Sequence, residues 1–349
     1  MEIKTPFLII DEKRCRQNIG NMAAKAKANK VIFRPHFKTH QSKKAGEWFR
    51  EEGVDKITVS SVSMAKYFIE HNWKDITIAF PFNILEIDDV NNISDNVVLN
   101  LLVESKETVE FLSENLNRKL NIFIKLDAGY NRTGIDISNF NSIKDLIELI
   151  IDSKNMEFTG LISHFGNTYK ARSRKEVTDI YNASIEKLLI VKEKIFSITK
   201  NFITSIGDTP SCSIINNFNG IDEIRPGNFV FYDLMQVKIG SCGYENVAVA
   251  VACPVVAKHK DRNEIVIYGG AIHFSKEFLN ISSENKIYGQ VVELEEDKIG
   301  NPIANQYVIS LSQEHGIIKV DKNNFDKIKI GDVIGITPVH SCLAVNLMN

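Results

Sequence analysis

Val31-Ile32-Phe33-Arg34-Pro35-His36-Phe37-Lys38-Thr39-His40 is an apolar run that ends in two histidines and a lysine. Read as a buried strand, it places Lys38 where an ammonium is costly to desolvate. That cost lowers a lysine pKa and turns the amine into a nucleophile toward an aldehyde. A strand that surfaces into a basic loop is the alternative. Working outward, the run is the first of eight: Val31–Phe37, Lys56–Ser60, Asp75–Phe80, Asn96–Val103, Asn121–Leu126, Phe158–Ser163, Phe202–Ile206 and Glu223–Phe231. Helical patterns separate them, among them Ser63–His71, Lys106–Leu116, Ser142–Ile151 and Glu176–Lys200. Eight such units predict an α/β fold of the (β/α)8 TIM-like barrel kind. A doubly wound open sheet is the competitor, weakened because no GxGxxG follows the first run.

Catalytic groups of such barrels sit at the C-terminal ends of the strands. Those ends read His36-Phe37-Lys38, Asp127–Gly134, His164–Tyr169, Gly207-Asp208-Thr209-Pro210-Ser211 and Arg225-Pro226-Gly227-Asn228. The last two, at the seventh and eighth positions, combine glycines with a hydroxyl, the makings of a phosphate cradle. Past residue 235 the runs become β-like: Val247–Val256, Glu264–Tyr268, Ile287–Leu294, Ala304–Ile309, Gly316–Val320 and Asp332–Ile336. Turns fall at Asp261-Arg262-Asn263, Glu296-Asp297 and Asp321–Asn324. The expected division is a barrel over residues 11–235 and a smaller all-β domain over 236–349, with residues 1–10 as a possible addition to the second. In the tail Pro338–Asn346, an extended chain would turn His340 and Cys342 to one face, and imidazole with thiolate suits zinc; a buried structural cysteine is the alternative.

Forty-two basic residues against 44 acidic ones give no electrostatic case for nucleic acid or a membrane surface. No segment has the run of about 18 apolar residues that a span needs, and the first residues lack the layout of a signal peptide. Five scattered cysteines without a CxxC pair read as reduced thiols in a cytoplasmic protein.

Arg34-Pro35-His36-Phe37-Lys38-Thr39-His40, Asp127–Gly134, Arg225-Pro226-Gly227 and His340-Ser341-Cys342, in this order along nearly the whole chain, resemble the metal-activated D-serine dehydratase and D-threonine aldolase family. These are fold-type III pyridoxal-phosphate (PLP) enzymes with a barrel related to that of alanine racemase. The resemblance implies that Lys38 forms the Schiff base with PLP and serves as catalytic base. It implies that Arg132 contacts the phenolic oxygen and that His164 lies against the ring. Tyr169, Thr209, Gly227 and Asn228 complete the cofactor set, with Thr209 and Gly227 nearest the phosphate. His340 and Cys342 become ligands of a divalent metal, zinc first and manganese second. Several relatives carry a histidine where this chain has Asn167, and the catalytic tyrosine of the racemases has no match here.

The resemblance further implies a homodimer and a small D-amino acid substrate. With PLP as electron sink and a metal on the substrate's hydroxyl, D-serine would give pyruvate and ammonia. Retro-aldol cleavage of D-threonine to glycine and acetaldehyde uses the same groups. The H-x-C tail is the dehydratase form and H-x-D that of the best-known aldolases, so dehydration is the leading expectation. Racemization and a non-catalytic PLP carrier are the further alternatives.

Overall fold

A computed structural model describes residues 3–282, 285–295 and 298–348. The chain divides into two compact units, one of Gly20–Gly227 and one of Met1–Ile19 with Asn228–Asn349. Numbered along the chain, the first strand is β1 (Phe7–Ile10). Strands of the first unit are β2 (Ile32–Phe33), β3 (Lys56–Val59), β4 (Asp75–Pro81), β5 (Val98–Val103), β6 (Leu120–Asp127), β7 (Ile135–Asp136), β8 (Met156–Ser163), β9 (Ile203–Ile206) and β10 (Glu223–Ile224).

These strands form a parallel sheet in the order β2-β10-β9-β8-β6-β5-β4-β3, with the short β7 against β6. A parallel bridge between His36 and Thr58, with Thr58 donating its N–H to Pro35 O at 2.9 Å, joins the two ends. The sheet thereby curls into the TIM-like barrel that the alternation predicts. Helices follow the strands because the connecting loops end in residues that cap them. Ser42, Ser61, Ser105, Asn139, Ser173 and Asp208 each accept an N–H of the following first turn. The helices turn apolar stripes inward, as Ile143, Leu146, Ile147 and Ile150 show on Phe140–Asp152.

One part of the barrel interior is polar. Arg34 donates to Glu223 at 2.6 Å and to Asp75 at 2.5 Å, and Lys56 reaches Asp75 at 2.8 Å. Ser205 donates to Glu223 Oε1 at 2.6 Å and accepts from Arg225 Nε at 2.7 Å. Buried charges persist when each is paired and hydrogen-bonded, and this network links five strands or their ends on that basis.

The second unit holds β11 (Val249–His259), β12 (Glu264–Tyr268), a small hairpin β13–β14 (Leu279–Asn280, Lys286–Ile287), β15 (Gly289–Glu295), β16 (Lys298–Leu311), β17 (His315–Lys319) and β18 (Val333–Pro338). All its pairings among the described residues are antiparallel, in the order β11-β12-β17-β16-β15-β18, and β18 returns to β11. The long β11 permits closure: Val251–Pro254 pair with β18, while Val255–His259 pair with β12. Val251, Cys253, Val255, Ile267, Val308 and Ile336 fill the resulting β barrel. Strand β1 lies against Val249–Ala252 of β11.

Three details differ from the sequence reading. The runs Val31–Phe37 and Glu223–Phe231 shrink to two-residue strands, because Pro35 and Pro226 have no N–H to give a ladder. Lys38 therefore sits on a 3-10 turn, Phe37–Thr39, beyond the strand. The tail is not extended past Pro338, since Ser341–Met348 is a helix. The turn expected at Glu296-Asp297 lies outside the described residues.

Candidate active site

The turn that carries Lys38 is fixed from below. Phe37 is fully buried, with ring centroids 4.4 Å from His40, 4.9 Å from Phe49, 5.0 Å from Phe68 and 5.0 Å from Trp73. His36 caps the turn by accepting the Lys38 N–H at its Nδ1. The anchored residues on either side leave the Lys38 side chain exposed. This corrects the sequence argument, which had Lys38 buried at the end of a strand. The buried lysine is Lys125 on β6, 6% exposed. Burial, reinforced by Arg225 and Arg132, brings its pKa down to about 7.

Around these lysines lie the other barrel residues expected at the site. His164 follows β8, and its Nδ1 bonds the Gly207 carbonyl. A carbonyl only accepts, so the ring proton is on Nδ1 and Nε2 offers a lone pair. Burial, then the charge of Lys125, holds the His164 pKa well below its ordinary value, and the ring is neutral. Asp127 accepts the N–H groups of Gly129 and Tyr130, each at 2.7 Å, and so shapes the loop that bears Arg132. The Arg132 guanidinium lies 5.2 Å from the Tyr130 ring centroid, and that ring meets His164 edge-on at 5.9 Å. Arg132 itself is exposed. Tyr169 lies in the 3-10 turn Gly166–Lys170, as does Asn167. The Tyr169 hydroxyl accepts the Thr209 N–H at 3.2 Å.

Two features fit a bound phosphate. The Thr209 hydroxyl oxygen is buried with no hydrogen-bond partner, an expensive state for a group this small. A Cβ added to Gly227 would stand 2.9 Å from His36 O and 3.1 Å from Thr39 Oγ1, so only glycine lets this loop approach the Lys38 turn. Arg225, buried and held by Ser205 and by Ser163 O, stays cationic because its pKa, lowered by burial, is still about 10. Lys38, Lys125, Arg132 and Arg225 thus gather positive charge around two neutral imidazoles, His36 and His164. The donor set suits an anionic cofactor such as PLP.

Asn228, the last of the expected cofactor set, begins the second unit. Its side-chain amide is turned to the C-terminal motif, 2.7 Å from Asp233 Oδ2, 2.8 Å from Ser341 Oγ and 3.6 Å from Cys342 Sγ. His340 precedes the terminal helix and Cys342 lies in its first turn, where an extended chain was expected. His340 Nδ1 stands 3.3 Å from Asp233 Oδ2. Burial lowers the His340 pKa, but Asp233, Cys342 and Glu277 outweigh it and raise it to about 9. With Nδ1 directed to a carboxylate, Nε2 is the nitrogen a metal would take, the usual arrangement of a metal-bound histidine. Among the described residues no third His, Cys, Asp or Glu completes a metal cluster. Two protein ligands would leave positions for water or substrate.

Sequence reasoning missed Lys125 and Asp233. A lysine inside the apolar run Asn121–Leu126, and an aspartate before the helix Leu234–Ile239, were the signals for them.

The sequence matches the family model for the alanine racemase N-terminal domain over residues 10–234, and that for a serine dehydratase domain over residues 248–349. It is 30% identical to D-serine dehydratase of Dictyostelium discoideum, across 99% of this chain and 92% of that protein. The solved structure of D-threo-3-hydroxyaspartate dehydratase from Delftia sp. HT23 superposes with a TM-score of 0.91 at 22% identity, covering 99% of this chain and 93% of that one. A cysteine-to-alanine mutant of that enzyme is known in a metal-free form. D-threonine aldolase from Filomicrobium marinum has a TM-score of 0.86 at 18% identity, covering 99% and 89%. The fold and the full-length match together establish that the chain belongs to the D-serine dehydratase family of fold-type III pyridoxal-phosphate enzymes.

Proposed function

We propose that this protein is a PLP- and divalent-metal-dependent lyase that converts D-serine to pyruvate and ammonia. The observation that carries the reading is the His340–Cys342 pair, with His340 Nδ1 held by Asp233. Full-length similarity to a D-serine dehydratase supports it.

In this proposal Lys38, Arg132, His164, Tyr169, Thr209, Gly227 and Asn228 hold PLP, and His340 and Cys342 hold the metal, taken to be zinc. Bound PLP supplies an electron sink for bonds at the substrate's Cα, and the metal supplies Lewis acidity toward the hydroxyl that leaves. Lys38 Nζ, on its anchored turn, takes the Cα proton. Neutral His164 presents a ring face without adding charge. Arg225 contributes a fixed positive charge, held in place by Ser205 and Ser163. Water leaves and is regained in hydrolysis, so D-serine yields one pyruvate and one ammonia.

D-threonine retro-aldol cleavage is the second reading. Cys342, where aldolases of this kind carry aspartate, sets it behind dehydration. Incubation with PLP and zinc separates the two. Pyruvate from D-serine is expected; glycine and acetaldehyde from D-threonine, with no keto acid from D-serine, would overturn the proposal.

The homodimer belongs to the same proposal, supported by apolar side chains left in solvent at the β4 end, Phe80 at 58% and Leu85 at 87% exposure. Sedimentation of the purified protein checks it. Among the described residues no helix is long and apolar enough to cross a membrane. A cytoplasmic location is proposed on the buried thiols Cys15, Cys212 and Cys253.

A further inference from the structure

Asp233 is fully buried and its two carboxylate oxygens have different tasks. Oδ1 accepts the Gln236 N–H at 3.0 Å and caps the helix Leu234–Ile239. One oxygen is enough for that, and serine or asparagine would serve equally. Oδ2 instead collects groups from the C-terminal motif and from Asn228: Ser341 N at 2.9 Å, Ser341 Oγ at 3.3 Å, His340 Nδ1 at 3.3 Å and Asn228 Nδ2 at 2.7 Å. The same Asn228 amide lies 3.6 Å from Cys342 Sγ.

We propose that Asp233 is the positioning residue of the metal pair, aiming His340 directly and Cys342 through Asn228. The inference rests on the reading of His340 and Cys342 as metal ligands. The carboxylate 3.3 Å from Nδ1 sets the direction of the ring and leaves Nε2 as the nitrogen that faces a metal. The Asn228 amide, itself fixed by Oδ2, stands against Sγ and sets the direction of the Cys342 side chain. One buried oxygen therefore presets two donors that are neighbours in the sequence but depend on different parts of the chain for their orientation.

The test uses the full-length protein, stripped by chelation and titrated with cobalt(II), whose thiolate charge-transfer and d–d bands report the ligands. Asp233→Asn and Asp233→Ser both keep a helix cap and lose the oxygen that gathers the motif. Each is expected to bind cobalt about 10- to 100-fold more weakly than the wild type. The thiolate band should weaken, while PLP absorbance and its retention stay as in the wild type. Wild-type affinity and spectrum in both variants would overturn the role of Asp233. A wild-type protein that binds cobalt without a thiolate band would instead remove the metal-pair reading beneath it. The two failures are thus distinguishable.

Discussion

His40 ties the stability of the Lys38 turn to pH. Its ring is 3% exposed, packed 4.4 Å from Phe37 and stacked on Phe49 at 5.5 Å. Nδ1 accepts the Ser42 N–H at 3.1 Å, so the proton sits on Nε2, which has no partner. A second proton would bury an imidazolium among aromatic rings, and burial drives the pKa down from 6.5 to about 3. The folded-state pKa is depressed, so the unfolded chain binds the proton more tightly between these values. His40 then contributes stability that is complete above pH 6.5 and is lost as pH falls toward 3. From the two pKa values the loss at about pH 5 is ~2 kcal/mol, and at about pH 4 it is ~3 kcal/mol. The perturbation is His40→Asn, whose oxygen can keep the Ser42 bond but does not titrate. Its loss of ring packing is independent of pH, so only the slope is diagnostic. The assay is urea unfolding followed by tryptophan fluorescence. Both tryptophans, Trp48 and Trp73, are buried in the barrel unit beside this cluster. Wild type should lose ~2 kcal/mol more than the variant between neutral pH and about pH 5. Equal slopes would refute the burial argument.

Three further outcomes follow from the site. Gly227→Ala forces a Cβ to within 2.9 Å of His36 O, a backbone atom that cannot step aside. It should cost about 1–3 kcal/mol and weaken PLP retention on dialysis, and unchanged retention would contradict the close approach. Glu223→Ala strips one carboxylate from Arg34 and the acceptor from Ser205. A loss of about 3 kcal/mol in barrel stability is expected by urea midpoint, and an unchanged midpoint would show the network to be dispensable. Cys342→Ala should leave PLP absorbance intact while metal-dependent turnover of D-serine disappears; full activity would dismiss the metal assignment.

The barrel was legible because each strand is a short apolar run and each helix an amphipathic stretch with its own cap. The β domain was legible from alternation, and Glu264–Tyr268 has the very bounds the alternation predicts. Less visible was what depends on contacts distant in sequence. Val31–Phe37 looked like one strand, yet proline ends it at Phe33 and the lysine moves into a turn. Lys125 was hidden because a lysine in a strand reads as a polar face until Arg225 and His164 are brought beside it. Asp233 and Asn228 lie more than a hundred residues before the motif they hold, a relation no local pattern contains. The tail misled for a different reason. His-x-Cys is compatible with either strand or helix, and the helix followed from Leu343, Ala344, Leu347 and Met348 rather than from the motif.

The central claim is that the cofactor is held by exposed Lys38, although buried Lys125 has the lowered pKa that chemical reasoning would prefer. Borohydride reduction of the PLP-loaded protein locks the cofactor to its lysine as a stable amine, and peptide mapping then locates it. The label is expected on the peptide containing Lys38 and absent after Lys38→Ala. A label on Lys125, or one that survives Lys38→Ala, would contradict the account.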